Sequence, residues 1–231
     1  MADNVKVIKH TIEEDMYYNN ELVLSYNIQY PQFRSYEFFD SVKQMNKYYY
    51  MKAVSYQHYC IQTLYKLAVQ DYQYSIANDF PVHQYEAMQV FDITYNQNCT
   101  VSLYSDRYEY TGGAHGNTVR TSETWDLQSG SHMTLKQLVN APEGYRKYIL
   151  NLINNQINEQ ISKEQYYYFE NYQENTAEYF DENNFYLTTE GIVIYYPLYS
   201  IAPYSSGIVE FTILYAAGLV EQPECNRMRM K

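Results

Sequence analysis

An α+β fold is predicted by three observations. Apolar residues alternate with polar ones in several short stretches, and they recur at steps of three and four in two longer ones. The links between most alternating stretches are too short for parallel crossovers. Antiparallel sheets with helices packed on them are therefore expected, in two intimately associated subdomains. The length of 231 residues and a hydrophobic share of 46% suffice for a sizeable core.

The elements follow in order. Leu22, Leu24, Tyr26, Ile28 and Tyr30 alternate with Val23, Ser25, Asn27 and Gln29, as a strand with one buried face does. Asn19-Asn20 turns the chain, so residues 5–17 are the hairpin partner, and Pro31 is expected to close the strand. A long helix comes next, with Ser35 able to cap it and Glu37 and Asp40 near its positive end. Its stripe is Phe38, Val42, Met45, Tyr49, Ala53, Tyr56, Cys60, Leu64 and Leu67. An unbroken helix over 36–75 would run about 60 Å, more than a domain of this size is wide, so a bend or break is predicted. After Pro81, Tyr85–Tyr95, Thr100–Tyr110 and Asn117–Leu127 read as an antiparallel meander, with Val119, Thr121, Glu123 and Trp125 on one side of the last strand. Thr134-Leu135-Lys136-Gln137 is a capping box opening a short helix through Val139. Pro142 stands near the start of a second helix with the stripe Tyr145, Ile149, Leu152, Ile153, Ile157 and Ile161. A short helix is expected around 175–181, then a hairpin of Phe185–Thr188 and Ile192–Tyr196, then the strand Ile208–Leu214. The last 15 residues, from Ala217, read as frayed.

Composition excludes several classes. The net charge of −11 argues against nucleic acid as a partner. No apolar run approaches the roughly 18 residues needed to span a bilayer, and no secretory leader is legible, so a soluble, cytoplasmic chain is expected, kept monomeric by the self-repulsion of its acidic surface. Cys60, Cys99 and Cys225 are odd in number and scattered; neither a disulfide framework nor a metal site follows, and a reducing compartment is expected. The five histidines His10, His58, His83, His115 and His132 show no metal-ligand spacing. From Glu164 to Asn226 there are ten acids and no lysine or arginine, which suits either a basic partner or a merely well-solvated surface. The 31 tyrosines, in clusters such as Tyr48–Tyr50 and Tyr166–Tyr168, offer flat faces with polar tips for ligands or for half-wet packing.

Chemistry-bearing motifs are few. Gly112-Gly113-x-x-Gly116 lacks the lysine of a phosphate loop and joins two strands, where a dinucleotide fingerprint needs strand then helix. Its glycines imply positive φ or close approach, and His115 is either a ligand-contacting group or a brace of its loop. Neighbouring acids such as Asp181-Glu182 could serve a glycosidase only inside a cleft. No nucleophile elbow or recognised catalytic cysteine occurs. No cofactor, metal or catalytic residue is therefore assigned.

Tyr108-Glu109-Tyr110-Thr111-Gly112-Gly113-Ala114-His115-Gly116-Asn117, Phe185–Thr188, Gly191–Tyr196, Ile201-Ala202-Pro203-Tyr204 and Gly207–Phe211 resemble a known family. It comprises the extracytoplasmic, lysozyme-sensing region of the anti-sigma factor RsiV and the non-catalytic N-terminal region of the deacetylase PdaC. The resemblance implies a PdaC-like hairpin–helix–meander unit over 1–112, an RsiV-like helix–hairpin–strand unit over 113–216, and a tail over 217–231. It also implies a non-enzymatic binding or sensing module for a basic protein such as lysozyme, or for a peptidoglycan fragment. The alternatives are an intracellular or spore-associated domain with another ligand, and a glycan or peptide hydrolase using His115. Candidate binding or loop-organising residues are Tyr110, Gly112, Gly113, His115, Gly116, Asn117 and Tyr204.

Overall fold

The computed structural model describes residues 5–140, 143–163 and 167–225. The expected Pro142, Glu164 and Tyr166 and the basic tail residues Arg227, Arg229 and Lys231 lie outside these. Two compact units emerge. One comprises Val5–Asp92 and Ser105–Arg120; the other comprises Ile93–Tyr104 and the chain from Thr121 onward.

The first unit begins with the predicted hairpin, β1 (Lys6–Tyr18) and β2 (Glu21–Arg34), paired antiparallel from Lys6↔Arg34 to Tyr18↔Glu21. Asn19 and Asn20 form the turn with φ of 50° and 66°, a conformation asparagine tolerates better than most residues. Pro31 does not end β2, contrary to expectation. It pairs with Lys9, beyond Leu24–Ile28, the only stretch that the next strand joins, so it takes no bond from that neighbour.

Helix α1 (Phe39–Tyr59) passes through a π-helical turn, Cys60–Leu64, into α2 (Tyr65–Ala77). Ser35 accepts the Phe38 amide at 3.2 Å just ahead of α1. The predicted break is thus a change of helical pitch, and the sequence explains it. Buried positions after Tyr56 fall every fourth residue, at Cys60, Leu64 and Ala68. At 3.6 residues per turn each such step overshoots by about 40°, so a strict α-helix would swing the stripe off the core. The wider π turn brings it back. It also corrects the expected stripe, because Leu67 is 44% exposed and Ala68 takes its place. Opposite the helix lie Leu24, Tyr26, Ile28, Tyr85 and Ala87, packed on Ala53, Tyr56, Cys60 and Leu64.

Strands β3 (Tyr85–Gln97), β4 (Thr100–Tyr110), β5 (Asn117–Asp126) and the two-residue β6 (Ser131–His132) complete a sheet in the order β1-β2-β3-β4-β5-β6. One pairing departs from the expected antiparallel sheets: β2 and β3 run parallel, Leu24↔Tyr85 to Ile28↔Gln89. The intervening helix supplies the long crossover that a parallel pair requires. On β5, Glu123 and Trp125 are buried, whereas Val119 is exposed.

In the second unit Thr134 and Gln137 form the predicted capping box on a 3-10 turn, Leu135–Leu138. Then come α3 (Tyr145–Ser162), α4 (Tyr172–Glu178, three residues earlier than expected), β7 (Phe185–Leu187), β8 (Gly191–Tyr196) and β9 (Val209–Leu214). The three strands form an antiparallel sheet with β8 in the middle. Every residue of β8 is buried, which is why it reads as an unbroken apolar run. Ile192 and Ile194 join Ile149, Ile153 and Ile157 of α3 in one core, while Val193 and Tyr195 pack with Tyr104 and Ile208. Ile161 is not in the α3 stripe; it is exposed near the helix end.

Two expectations are overturned at the C-terminus. The tail is not frayed through residue 225. Val220 is buried and bridges to Val139, the Glu221 amide bonds to the Leu138 carbonyl at 2.9 Å, and the Asn140 amide bonds to the Leu219 carbonyl at 3.0 Å. Cys99 and Cys225 form a disulfide, leaving Cys60 free and buried. A separation of 126 residues concealed this pair. It exists because the tail returns to the β3–β4 turn, where Gln222 Nε2 donates to Tyr95 Oη at 3.1 Å.

Candidate functional site

Of the residues singled out in the sequence, Tyr110, Gly112, Gly113, His115, Gly116 and Asn117 come together in the first unit, on the loop between β4 and β5. Tyr204 belongs to the second unit. The loop is braced from within. The Tyr110 hydroxyl donates to the Gly113 carbonyl at 3.1 Å, and the Tyr110 ring meets His83 edge-on at 6.4 Å. Gly112 and Gly113 hold φ of 90° and 94°, the left-handed region that glycine alone enters freely. Gly116 serves close approach instead, since a Cβ there would lie 2.4 Å from the Tyr108 ring. His115 is exposed, and its Nδ1 lies 2.9 Å from the Gly116 carbonyl oxygen. A carbonyl only accepts, so Nδ1 is the donor in this contact. Asn117 is exposed at the start of β5.

A second polar cluster lies behind this loop's strand, under the π turn. Glu109 accepts the Tyr56 hydroxyl at 2.9 Å and the Tyr59 hydroxyl at 3.4 Å. The Arg107 guanidinium lies 4.4 Å from the Tyr56 ring centroid, and its Nε donates to Gln89 Oε1 at 2.7 Å. Burial, reinforced by Glu109, pushes the Tyr56 hydroxyl far above its ordinary range and the Cys60 thiol up to about 12. A thiol held in its neutral form is a poor nucleophile. These groups satisfy one another, and the cluster reads as a brace for the helix.

In the second unit the chemistry is aromatic and acidic. Tyr204 sits on a 3-10 turn, Tyr204–Ser206, with its ring 5.6 Å from that of Tyr199. Tyr199 is exposed and holds φ of 63°, an uncommon conformation for a bulky residue. Tyr167 is 80% exposed, and its segment is pinned to the same loop, with Ser206 Oγ donating to the Tyr167 carbonyl at 3.1 Å and the Phe169 amide to the Ile201 carbonyl at 3.1 Å. Glu170, Glu174, Glu178, Asp181, Glu182, Glu190, Glu210, Glu221 and Glu224 are all exposed. Asp181 accepts the Asn183 amide and side chain, each at 2.9 Å, and so fixes a turn. Among the described residues no group of three His, Cys, Asp or Glu side chains could hold a metal ion.

Sequence reasoning found Tyr204 and the Tyr166–Tyr168 cluster but missed Tyr199 and His83. The strained backbone of Tyr199 leaves no mark in the sequence, and His83 reaches its place only through the fold. The other tyrosine cluster divides on the helix surface: Tyr49 is buried against Phe33, whereas Tyr50 is exposed.

Comparison with known proteins finds two family models along the chain. Residues 18–118 match the family model described as deacetylase PdaC, and residues 136–216 match the one described as a protein of unknown function, DUF3298. A DUF3298 family member from Bacteroides fragilis NCTC 9343 is 20% identical, with a TM-score of 0.68 over 95% of this chain and 96% of its own. A DUF3298 family protein from Pseudomonas aeruginosa PAO1 is 15% identical, with a TM-score of 0.62 over 95% of this chain and 96% of its own. No curated protein matches. At these identities the likeness establishes the fold, and the chain is one that resembles the PdaC N-terminal region and then the DUF3298 domain, within an architecture shared with DUF3298 proteins.

Proposed function

We propose that this protein is a non-enzymatic binding or sensing module whose ligand is a basic protein such as lysozyme, or a peptidoglycan fragment. The observation that carries the reading is the surface of the second unit, where exposed Tyr167 and Tyr199 and the half-buried Tyr204 share a unit with nine exposed acids. Tyrosine grips protein and sugar surfaces at low entropic cost, and a one-sign field steers a cationic partner. The likeness to the lysozyme-sensing region of the anti-sigma factor RsiV enters as part of this proposal. The Cys99–Cys225 disulfide favours an oxidising compartment, where such ligands occur, over the cytoplasm expected from the cysteine count.

The test pairs retention with product analysis. Purified protein is incubated with insoluble peptidoglycan and, separately, with immobilised lysozyme. Retention on at least one, without release of soluble fragments, is expected. Fragment release that His115→Ala abolishes in a folded variant would overturn the reading in favour of a hydrolase.

A further inference from the structure

Among the described residues the outer edge of β1 has no partner strand. β1 is the end strand of its sheet, and among the described residues the backbone of Lys6–Met16 bonds only to β2. The nearest capping contact comes later, where the Tyr65 hydroxyl donates to the Tyr17 carbonyl at 2.8 Å. Thirteen residues at about 3.4 Å each make an edge roughly 44 Å long. Edges of this kind are usually blunted by proline, by a bulge, by shortness or by charge. Here there is no proline in β1, and the one register shift lies at Met16/Tyr17, near the far end.

The charges on this edge do more than repel. They are ordered, with Lys6 and Lys9 early and Glu13, Glu14 and Asp15 late. Lys9, Thr11 and Glu13 are exposed and share the sheet face directed away from the helices, since Ile12 and Met16 pack on the helix side. Lys9 makes no ion pair among the described residues. Glu13 accepts the Asn27 side chain through one carboxylate oxygen at 2.6 Å, which leaves the other oxygen for a cation.

We propose that the β1 edge pairs antiparallel with β1 of a second copy of the chain. A two-fold axis through Thr11 sets Lys9 opposite Glu13 of the partner subunit, repeats that pair by symmetry, and sets Thr11 opposite Thr11 of the partner subunit. Opposite-charge and Thr–Thr cross-strand pairs are both favourable. A parallel arrangement in register would set like charges side by side, so the sequence of the strand selects the antiparallel one. The interface is isologous and closes as a dimer. Backbone bonds supply the attraction and the charge order supplies the register. The self-repulsion from which a monomer is expected is screened at ordinary salt, and the backbone bonds along the edge carry most of the attraction.

The test is sedimentation equilibrium of the full chain, from low micromolar to near-millimolar concentration. A concentration-dependent dimer is expected. Lys9→Glu and Glu13→Lys should each weaken it about tenfold, and the two combined should restore it to within about threefold of the original, because each charge pair is reversed rather than lost. Circular dichroism identical to the parent confirms that each variant is folded. A chain that stays monomeric throughout overturns the proposal, as does a dimer indifferent to Lys9→Glu or one that the double variant fails to restore.

Discussion

Replacing both Cys99 and Cys225 with serine removes a cross-link between residues 126 apart. In the chain-entropy description, closing a loop of that length lowers the entropy of the unfolded chain by about 16 cal/mol/K, or roughly 5 kcal/mol at 25 °C. The native state loses little by comparison. The tail is already held by the Val139↔Val220 bridge, by two backbone bonds at 2.9 and 3.0 Å, and by Gln222 on Tyr95. The full effect should therefore fall at about 3–5 kcal/mol, a large share of the 5–15 kcal/mol typical of a native protein. Trp125 is the single tryptophan, is buried, and lies in the same unit as both cysteines, so its fluorescence in guanidinium chloride reports the relevant transition. The midpoint should drop by on the order of 1 M. Titration of thiols in denaturant without reductant should find one, Cys60, and reductant should raise the count to three. A stability loss below about 1 kcal/mol with the bond verified, or three thiols before reduction, would refute the reasoning.

Other perturbations probe each unit. At Gly191 a Cβ would sit 2.3 Å from the Ile213 carbonyl oxygen, so Gly191→Ala must force β8 and β9 apart and should cost about 1–3 kcal/mol in thermal or denaturant unfolding. Asn46 accepts the Phe33 amide at 2.7 Å and donates to the Phe33 carbonyl at 2.9 Å, locking the helix to the end of β2. Asn46→Ala should lose about 1–3 kcal/mol, and unchanged stability would show that water replaces both bonds. Burial first, with Glu14 second, raises the Tyr26 hydroxyl to about 12, and burial raises the Cys60 thiol to about 12. The unfolded chain therefore releases these protons at lower pH than the folded one, and stability should fall as pH rises above about 9. Urea midpoints at pH 8, 10 and 11 check this; a midpoint that stays level contradicts it.

Much of the fold is legible in the sequence because its signals are local. Alternation in Leu22–Tyr30, the Asn19-Asn20 turn, the three- and four-residue steps from Phe38 to Leu64, and the Thr134–Gln137 capping box each fix their element within a few residues. What escaped depends on distant partners. The π turn follows from keeping Cys60, Leu64 and Ala68 on one core, and the parallel β2–β3 pair follows from where the long helix returns the chain. The disulfide joins residues 126 apart, and the docked tail hangs on contacts that are likewise distant in sequence, such as Val139 with Val220 and Tyr95 with Gln222. The candidate site divides the same way: the glycine loop is written in its residues, whereas His83 beside Tyr110 and the strained Tyr199 beside Tyr204 are products of folding.

Calorimetric titration of the oxidised chain with lysozyme across a salt series tests the proposed recognition most directly. Saturable binding at low ionic strength that weakens steadily as salt rises is expected, as an acidic surface meeting a basic one requires. Absence of any heat at the lowest salt, with peptidoglycan fragments equally silent, would contradict it.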